Sequence, residues 1–311
     1  MTTPESVSGD AGSARRCAFI AIIGATNAGK STLVNNLVGA KVTIVSHKVQ
    51  TTRAPVRGIV IAGESQLVFI DTPGIFRPRR RLDRAMVDAA WTGAGEADIV
   101  GLIVDAARGI EPSVEKILDK LETVSTRRIL ILNKVDRVAE KEKLLELAAT
   151  LSRRVPFERV FMISALHADG VEDLKNWLAE VAPEGPWHYP EDEISDTPMR
   201  LMAAEITRER IYHWLHEELP YAITVETTDW KELRDKSVRI EQTIYVARES
   251  QKSIVLGKGG RTIKQISSEA RHEIQEIVGA PVHLFLYVKV REGWESDPER
   301  YREMGLEFPK D

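Results

Sequence analysis

Residues 24–31 restrict the fold more than any other part of this chain. They read Gly-Ala-Thr-Asn-Ala-Gly-Lys-Ser, and an apolar run at 17–23 precedes them while a helix-like segment at 31–37 follows. This order of strand, loop and helix is the context in which a glycine-rich loop cradles phosphate groups. Backbone N–H groups and the helix N-terminus face the anion, and Lys30 adds a positive charge. The pattern predicts an α/β fold with a nucleoside triphosphate site, in which Ser31 is placed to hold Mg²⁺.

The loop residues predicted to contact the nucleotide are Gly24, Ala25, Thr26, Asn27, Ala28, Gly29, Lys30, Ser31 and Thr32.

Length, charge and cysteine content limit the class of protein. A chain of 311 residues, 43% of them hydrophobic, is long enough for two folded domains. The formal net charge of −4 argues against indiscriminate binding to nucleic acid or anionic lipid, so such binding requires a local basic surface. The single Cys17 cannot form an intramolecular disulfide, which suits a reducing compartment. No stretch approaches the roughly 18 apolar residues of a membrane span. We therefore expect a cytoplasmic protein, with peripheral contact at the cytoplasmic face of the inner membrane as an alternative.

Short apolar runs alternate with amphipathic segments after the loop. Runs at 56–62 and 66–70, separated by Gly63 and Glu64, predict a hairpin. The remaining predicted strands lie at 98–105, 128–132 and 160–163, and the predicted helices lie near 83–94, 113–124, 139–152 and 171–181. This alternation predicts a mostly parallel sheet with helices on both faces, whose ligands bind at the carboxyl ends of the strands.

A proline-rich and acidic stretch at 184–198 predicts a linker to a second domain. After it we expect a helix at 199–219, strands near 221–225 and 240–246, a strand at 253–256, a glycine-rich turn at 257–260, a helix at 262–277 and a strand at 282–290. This order predicts a small α+β domain. The expected division is a disordered tail at 1–14, domains at 15–183 and 199–305, and a second tail at 306–311.

Three further motifs follow predicted strands of the first domain. Asp71 can hold a metal ion through water, and the N–H of Gly74 can meet a terminal phosphate. Asp136 can accept from guanine N1–H and its exocyclic amine, which adenine does not match, so the site would select guanine. The predicted residues at these strand ends are Asp71, Thr72, Pro73, Gly74, Ile75, Asn133, Lys134, Val135, Asp136, Ser164 and Ala165.

In this order and at these strand ends, the motifs resemble the translation-factor-like small GTPases. The run at 44–53, Ile-Val-Ser-His-Lys-Val-Gln-Thr-Thr-Arg, and Asp-Thr-Pro-Gly-Ile at 71–75 narrow the resemblance to the Era family of bacterial GTPases, over about residues 17–305. The resemblance implies GTP hydrolysis with Mg²⁺, and it makes Thr52 the switch threonine that joins Mg²⁺ and senses the γ-phosphate, with Thr51 as the alternative. The segment 76–81 departs from the family, because Phe76 stands where a histidine is usual and arginines are more frequent.

The expected chemistry follows from Ile75, whose apolar side chain cannot orient an attacking water as the glutamine of Ras-like enzymes does. Asn27 resembles the asparagine with which relatives hold K⁺ against the phosphates, where a cation can stabilise developing charge. The residues expected to act in hydrolysis are Asn27, Lys30, Thr52 and Gly74. The expected metal ligands are Ser31, Thr52 and, through water, Asp71 for Mg²⁺, and Asn27 for K⁺.

The turn Gly257-Lys258-Gly259-Gly260 fits the GxxG loop of a type II K-homology domain, which brings backbone close to the phosphates of unpaired RNA. Residues 252–271 carry five basic side chains against one acid, Glu269. That local excess is what phosphate binding requires. The residues expected to bind RNA are Lys252, Gly257, Lys258, Gly259, Gly260, Arg261 and Lys264.

The family resemblance implies that the RNA is the 3′ end of 16S ribosomal RNA, that the task is 30S subunit assembly, and that the protein is a monomer. Two alternatives stay open. One is a membrane-associated signalling GTPase. The other is a tRNA-modifying GTPase like TrmE, although those relatives carry a C-terminal cysteine motif that this chain lacks.

Overall fold

The computed structural model describes residues 14–309, apart from 47, 49–50, 79, 216–218 and 295–296. The predicted N-terminal tail, apart from residue 14, therefore lies outside the described residues, as do residues 310–311 of the predicted C-terminal tail. In the first domain the elements are β1 (Arg16–Gly24), α1 (Lys30–Val38), β2 (Val56–Ala62), β3 (Ser65–Asp71), α2 (Arg81–Glu96), β4 (Ile99–Asp105), α3 (Pro112–Leu121), β5 (Arg127–Asn133), α4 (Glu142–Arg154), β6 (Arg159–Ile163) and α5 (Val171–Val181). In the second domain they are α6 (Met199–Trp214), β7 (Ile223–Glu232), β8 (Val238–Val246), α7 (Glu249–Leu256), α8 (Arg261–Val278), β9 (Val282–Val290) and α9 (Pro298–Glu303).

The first domain is built on a six-stranded sheet in the order β2-β3-β1-β4-β5-β6. β2 runs antiparallel to β3, and the other neighbours are parallel. Every residue of β3 and β4 is buried, as expected for strands covered on both faces. The predicted mostly parallel sheet and its hairpin are confirmed, and the carboxyl ends of β1, β3, β4 and β5 meet at one edge.

Two apolar layers cover this sheet. On one face, Leu33 of α1 and Leu174 of α5 pack with Ile20 and Ile131 of the strands. On the other face, α2, α3 and α4 supply a second buried layer that includes Ile117. The strands are therefore fixed from both sides, and the loops at their carboxyl ends carry the polar side chains.

The second domain has a three-stranded sheet in the order β7-β8-β9, with β7 antiparallel and β9 parallel to β8. α6 and α8 cover one of its faces, where Ile206 and Ala270 pack against Ile240. This confirms the predicted small α+β domain. The GxxG turn lies between α7 and α8.

The main differences from the predictions lie in the second domain. The segment 253–256 belongs to the helix α7 and does not form the predicted strand. The predicted helix 199–219 ends at Trp214, because Leu215 is extended, and β7 begins at Ile223 rather than at 221. The helical prediction extends too far because Ile211, Leu215 and Leu219 are buried in one core although only the first of them lies in α6.

The predicted C-terminal tail at 306–311 is packed where the structure describes it. Leu306 is only 3% exposed, and the ring of Phe308 lies edge-on to Tyr301 at 4.9 Å. These residues join Trp294 and the α2 residues Leu82 and Met86 in one apolar cluster. We call this group the C-terminal cluster, and it links the two domains.

Among the described helices, none combines the length and the hydrophobicity that crossing a bilayer requires.

Candidate functional site

The phosphate-binding loop is formed around a buried lysine. Lys30 is the first residue of α1, and its Nζ donates to the carbonyl oxygens of Gly24 and Ala25 at 3.2 and 2.8 Å. The side chain is 6% exposed, and this burial lowers the pKa of Lys30 to about 8, with Asp71 acting in the opposite direction. A phosphate anion would compensate the buried charge, so the loop is built to receive one.

Asn133 at the end of β5 joins two of the predicted motifs to the loop. Its Nδ2 donates to the Ala28 carbonyl at 2.8 Å, and its Oδ1 accepts from the Ala165 N–H at 2.9 Å. Gly29 lies directly against it with φ of 102°, and a Cβ on Gly29 would stand 2.2 Å from that Nδ2. The close approach of loop and asparagine therefore requires glycine at this position.

Oxygen atoms converge beside the loop on one buried carboxylate. Asp71 Oδ2 accepts from Ser31 Oγ at 2.7 Å, from Thr43 Oγ1 at 2.9 Å and from Thr52 Oγ1 at 3.2 Å. Thr52 Oγ1 is also 3.0 Å from Ser31 Oγ. Thr51 instead donates its hydroxyl to the Lys48 carbonyl at 2.9 Å, so Thr52 is the threonine at this oxygen cluster.

This oxygen cluster fits a magnesium ion. Asp71 is completely buried, and burial raises its pKa, although its hydroxyl partners and Lys30 act to lower it. Its Oδ1 has no hydrogen-bond partner among the described residues. A hard divalent cation with oxygen ligands would compensate the carboxylate, and Ser31, Thr52 and Asp71 would hold it. It would supply charge neutralisation at the phosphate oxygens.

The residues after Asp71 return to the phosphate loop. Thr72 Oγ1 donates to the Ile22 carbonyl at 2.7 Å, and the Ile75 N–H donates to the Gly24 carbonyl at 3.0 Å. The Ile75 side chain is 6% exposed and packs in the core below the sheet. It therefore takes no part in positioning a water molecule, and Gly74 presents backbone to the cavity.

Lys134 also holds the phosphate-binding loop in place. It has φ of 64°, and its Nζ donates to the Asn27 carbonyl at 2.7 Å and to Asp105 Oδ2 at 2.6 Å. Asp136 is exposed, and the neighbouring Ser164 hydroxyl is the main cause of its lowered pKa. An ionised carboxylate at this place can accept two hydrogen bonds from a guanine edge.

A cavity of about 400 Å³ runs from the oxygen cluster to Asp136. Predicted residues that line it are Thr26, Asn27, Gly29, Lys30, Ser31, Thr32, Thr51, Thr52, Gly74, Asn133, Lys134, Asp136 and Ala165. The other predicted residues, Gly24, Ala25, Ala28, Asp71, Thr72, Pro73, Ile75, Val135 and Ser164, do not line the cavity.

Sequence reasoning missed two buried residues that support this site, and it also missed six residues that line the cavity, namely Ile44, Val45, Ser46, Arg108, Arg137 and Leu166. Asp105 is 9% exposed and holds Lys134 at the end of β4, and Thr43 is 3% exposed and holds Asp71. Asp105 could have been predicted from the sequence, because it closes a buried strand at the same sheet edge as the other motifs. Thr43 could not, since its partner Asp71 lies in a distant part of the chain.

The GxxG turn presents exposed positive charge. Lys258, Arg261 and Lys264 are exposed, and none of the three makes an ion pair with a described acidic residue. Lys252 is half-buried on α7, 3.9 Å from Glu249. Gly257, Gly259 and Gly260 all have positive φ, so the backbone at the start of α8 can approach a ligand closely. The predicted RNA-contacting residues thus lie together at one end of the second domain.

Each of the two domains matches a known protein family. Residues 19–134 match the family described as 50S ribosome-binding GTPase, and residues 218–295 match the KH domain family. The chain is 63% identical over 304 residues to the GTPase Era of Bradyrhizobium diazoefficiens, covering 98% of each protein. It is 64% identical over 295 residues to that of Rhizobium meliloti, covering 95% of this chain and 94% of the relative.

Two solved structures are similar along nearly the whole chain. Era in complex with MgGDPNP and nucleotides 1506–1542 of 16S ribosomal RNA is 36% identical with a TM-score of 0.89, covering 94% of this chain and 99% of that one. A single-residue variant of Aquifex aeolicus Era bound to GDP.AlF4⁻ is 37% identical with a TM-score of 0.88, covering 93% and 99%. The chain belongs to the Era family of GTPases.

Proposed function

We propose that this GTPase binds the 3′ end of 16S ribosomal RNA through its second domain and acts as a GTP-controlled switch in the assembly of the 30S subunit. The cations at the GxxG turn, which pair with none of the described acidic residues, carry this proposal, because they form a local phosphate-binding surface on an acidic protein. The likeness to the Era structure that holds nucleotides 1506–1542 supports the choice of RNA. In this proposal the protein is a cytoplasmic monomer.

In the GTP complex, we assign the phosphates to the loop N–H groups and to Lys30. Asp136 selects guanine. Asn133 fixes the position of the base pocket relative to the phosphate loop, because it binds the backbone of both Ala165 and Ala28. Ser31 and Thr52, with Asp71 through water, would hold Mg²⁺, which would supply charge neutralisation at the phosphates. Gly74 offers its N–H to the γ-phosphate, so loss of that phosphate releases the segments around Thr52 and Gly74.

We assign to Asn27 a role in holding K⁺ against the phosphates. Ile75 is buried, so its side chain does not orient the attacking water, and a second cation would supply the missing charge stabilisation. GTP turnover should be faster in K⁺ than in Na⁺ at equal ionic strength. Asn27→Ala should remove this difference, and equal wild-type rates in the two salts would contradict the assignment.

Filter binding tests the choice of RNA. The full chain, loaded with a non-hydrolysable GTP analogue, should bind RNA with the sequence of nucleotides 1506–1542 at least about tenfold more tightly than a scrambled RNA of equal composition. Sedimentation with anionic lipid vesicles serves as the comparison. Equal affinity for the two RNAs, or binding to vesicles alone, would contradict the proposal.

A further inference from the structure

The second domain makes hydrogen bonds and ion pairs with the segment of the first domain that leads to Thr52. Val45 N–H donates to Glu209 Oε1 at 2.7 Å, and Lys48 Nζ donates to the carbonyl oxygens of Tyr212 and Leu215. Lys41 pairs with Glu209 at 2.5 Å and also with Glu273 of α8. Three described residues of this first-domain segment are thus bound by α6, by the residue that follows it and by α8.

One of these contacts lies directly next to the oxygen cluster. Arg208 Nη2 donates to the Thr51 carbonyl at 2.5 Å, and Thr51 is bonded through that peptide to Thr52. The Thr52 hydroxyl stands 3.0 Å from Ser31 Oγ and 3.2 Å from Asp71 Oδ2. A carbonyl that is fixed in place restricts the rotation of the peptide that follows it, so this bond limits where the hydroxyl can lie.

Arg208 is itself firmly held. Its side chain is 1% exposed, its Nε donates to Glu205 Oε1 at 2.8 Å, and its guanidinium lies 5.3 Å from the centre of the Tyr212 ring. Burial acts to lower the pKa of Arg208, but Glu205 and Tyr212 outweigh it and raise the pKa, so the group stays charged. A charged donor shielded from water makes a stronger hydrogen bond than an exposed one.

We propose that Arg208 of the second domain is a positioning residue for the nucleotide site, which holds the Thr51–Thr52 peptide so that the Thr52 hydroxyl meets the oxygens of Ser31 and Asp71. This goes beyond the proposed function, because it makes the second domain part of the triphosphate-binding machinery whether or not RNA is bound. The consequence is selective: Thr52 is the residue assigned to sense the γ-phosphate and its metal ion, so placing its hydroxyl favours GTP over GDP.

The test compares two full-length variants that differ only at position 208. Glu205→Gln is the control, because it keeps Arg208 and its bond to Thr51. Glu205→Gln with Arg208→Met removes the donor, keeps the apolar stem of the side chain, and leaves no carboxylate at position 205 without its partner. Affinities for fluorescent GppNHp and fluorescent GDP are measured by equilibrium titration with Mg²⁺, and circular dichroism checks folding.

The double variant should bind GppNHp about tenfold more weakly than the control, a typical effect of losing one charge-assisted hydrogen bond, with GDP affinity unchanged. Placed on Thr52→Ala, Arg208→Met should cause no further loss, because both act through one hydroxyl. Unchanged GppNHp affinity, equal losses for both nucleotides, or additive losses would overturn the proposal.

If the double variant does not fold, Arg208→Lys provides the same comparison with wild type. A lysine keeps the positive charge but cannot reach both Glu205 and the Thr51 carbonyl as a guanidinium does. Arg208→Lys should weaken GppNHp binding and leave the affinity for GDP unchanged. Unchanged binding of both nucleotides would overturn the proposal. Thr52→Ala alone reports separately on the assignment of Thr52, since it must lower GppNHp affinity if that assignment holds.

Discussion

At the scale of single residues, base selection depends on one exposed carboxylate. Asp136→Asn replaces an acceptor of two guanine hydrogen bonds with an amide that suits xanthine. GTP affinity should fall at least about tenfold, and XTP should become the better ligand, because each bond to a charged group is worth about 1.5–3 kcal/mol. Competition against labelled GTP measures both effects.

Glu140→Gln, which removes a carboxylate paired with Lys143 and exposed to solvent, is the control and should change neither affinity. Retained preference for GTP in Asp136→Asn would refute the guanine pocket.

Lys30 makes nucleotide binding depend on pH. Its pKa is lowered to about 8 by burial, and an adjacent phosphate raises the pKa of the bound state. The protonated form is the one that binds, so above pH 8 the lysine must take up a proton. GTP affinity should fall by up to about tenfold per pH unit above that value and stay level below it.

Calorimetry at about pH 9, in buffers of different ionisation enthalpy, measures this proton uptake directly. Lys30→Arg, whose guanidinium stays charged at this pH, should show no uptake by this group. The same affinity on either side of the lysine pKa in the wild-type protein would contradict the prediction.

The residues that could be predicted from sequence are those whose neighbours in the chain reveal them. Lys30, Asp71 and Asp136 each stand close after an apolar run, so the end of a strand placed them at the binding edge. Thr43 and Arg208 act through partners 28 and 157 residues away in the chain, and no local pattern signals such contacts. Asp105 falls between these cases, because its position at a strand end was visible but its lysine partner was not.

At the scale of elements, α7 shows why a short apolar run is ambiguous. Ser-Ile-Val-Leu at 253–256 fits a strand, and even in the helix Val255 is buried while Ile254 is 54% exposed, an alternation that a strand would also give. Gln251 favours the helix, since its Oε1 accepts from the backbone N–H groups of Ala247 and Arg248 at 2.8 and 3.2 Å and caps the helix start. The long elements, by contrast, could be predicted to within a few residues because their periodicity extends over several turns or a whole strand.

The turn between α7 and α8 gives an element-scale prediction. Gly259 has φ of 63°, and a Cβ added there would meet no atom within 4 Å, so Gly259→Asp adds local strain and a negative charge but no clash. RNA affinity should fall at least about tenfold, because the carboxylate repels phosphate, while GTP affinity stays unchanged. Filter binding and nucleotide titration on one preparation measure the two.

Gly279→Asp is the matched control for this prediction. Gly279 lies at the other end of α8 and has φ of 70°, and a Cβ added there would also meet no atom within 4 Å. An aspartate at this position therefore causes the same backbone strain, but away from the GxxG turn. The two variants should have similar thermal stability but different RNA affinity. An equal loss of RNA affinity in both would show that strain, and not charge at the turn, is responsible, and no loss in Gly259→Asp would contradict the prediction.

At the scale of the whole molecule, the second domain contacts both nucleotide-sensing segments. α6 and α8 hold the segment before Thr52, and the C-terminal cluster packs against α2, which follows Gly74. Trp294 is 1% exposed within that cluster, and the Arg53 guanidinium lies 5.9 Å from the centre of its ring. Packed contacts therefore connect both segments to the second domain, which the sequence could not show because it gives no domain orientation.

Trp294→Ala should uncouple the two domains. Removing a buried tryptophan costs roughly 3–5 kcal/mol, and here that loss falls on the contact between α2 and the C-terminal segment. In the wild-type protein a GTP analogue should raise the melting temperature of both domains, because ligand stabilisation passes through the shared cluster. In the variant it should raise that of the first domain alone, as differential scanning calorimetry can resolve. Trp177→Ala, inside the core of the first domain, should lower stability but keep the joint response, and a joint response in Trp294→Ala would show that the cluster does not couple the domains.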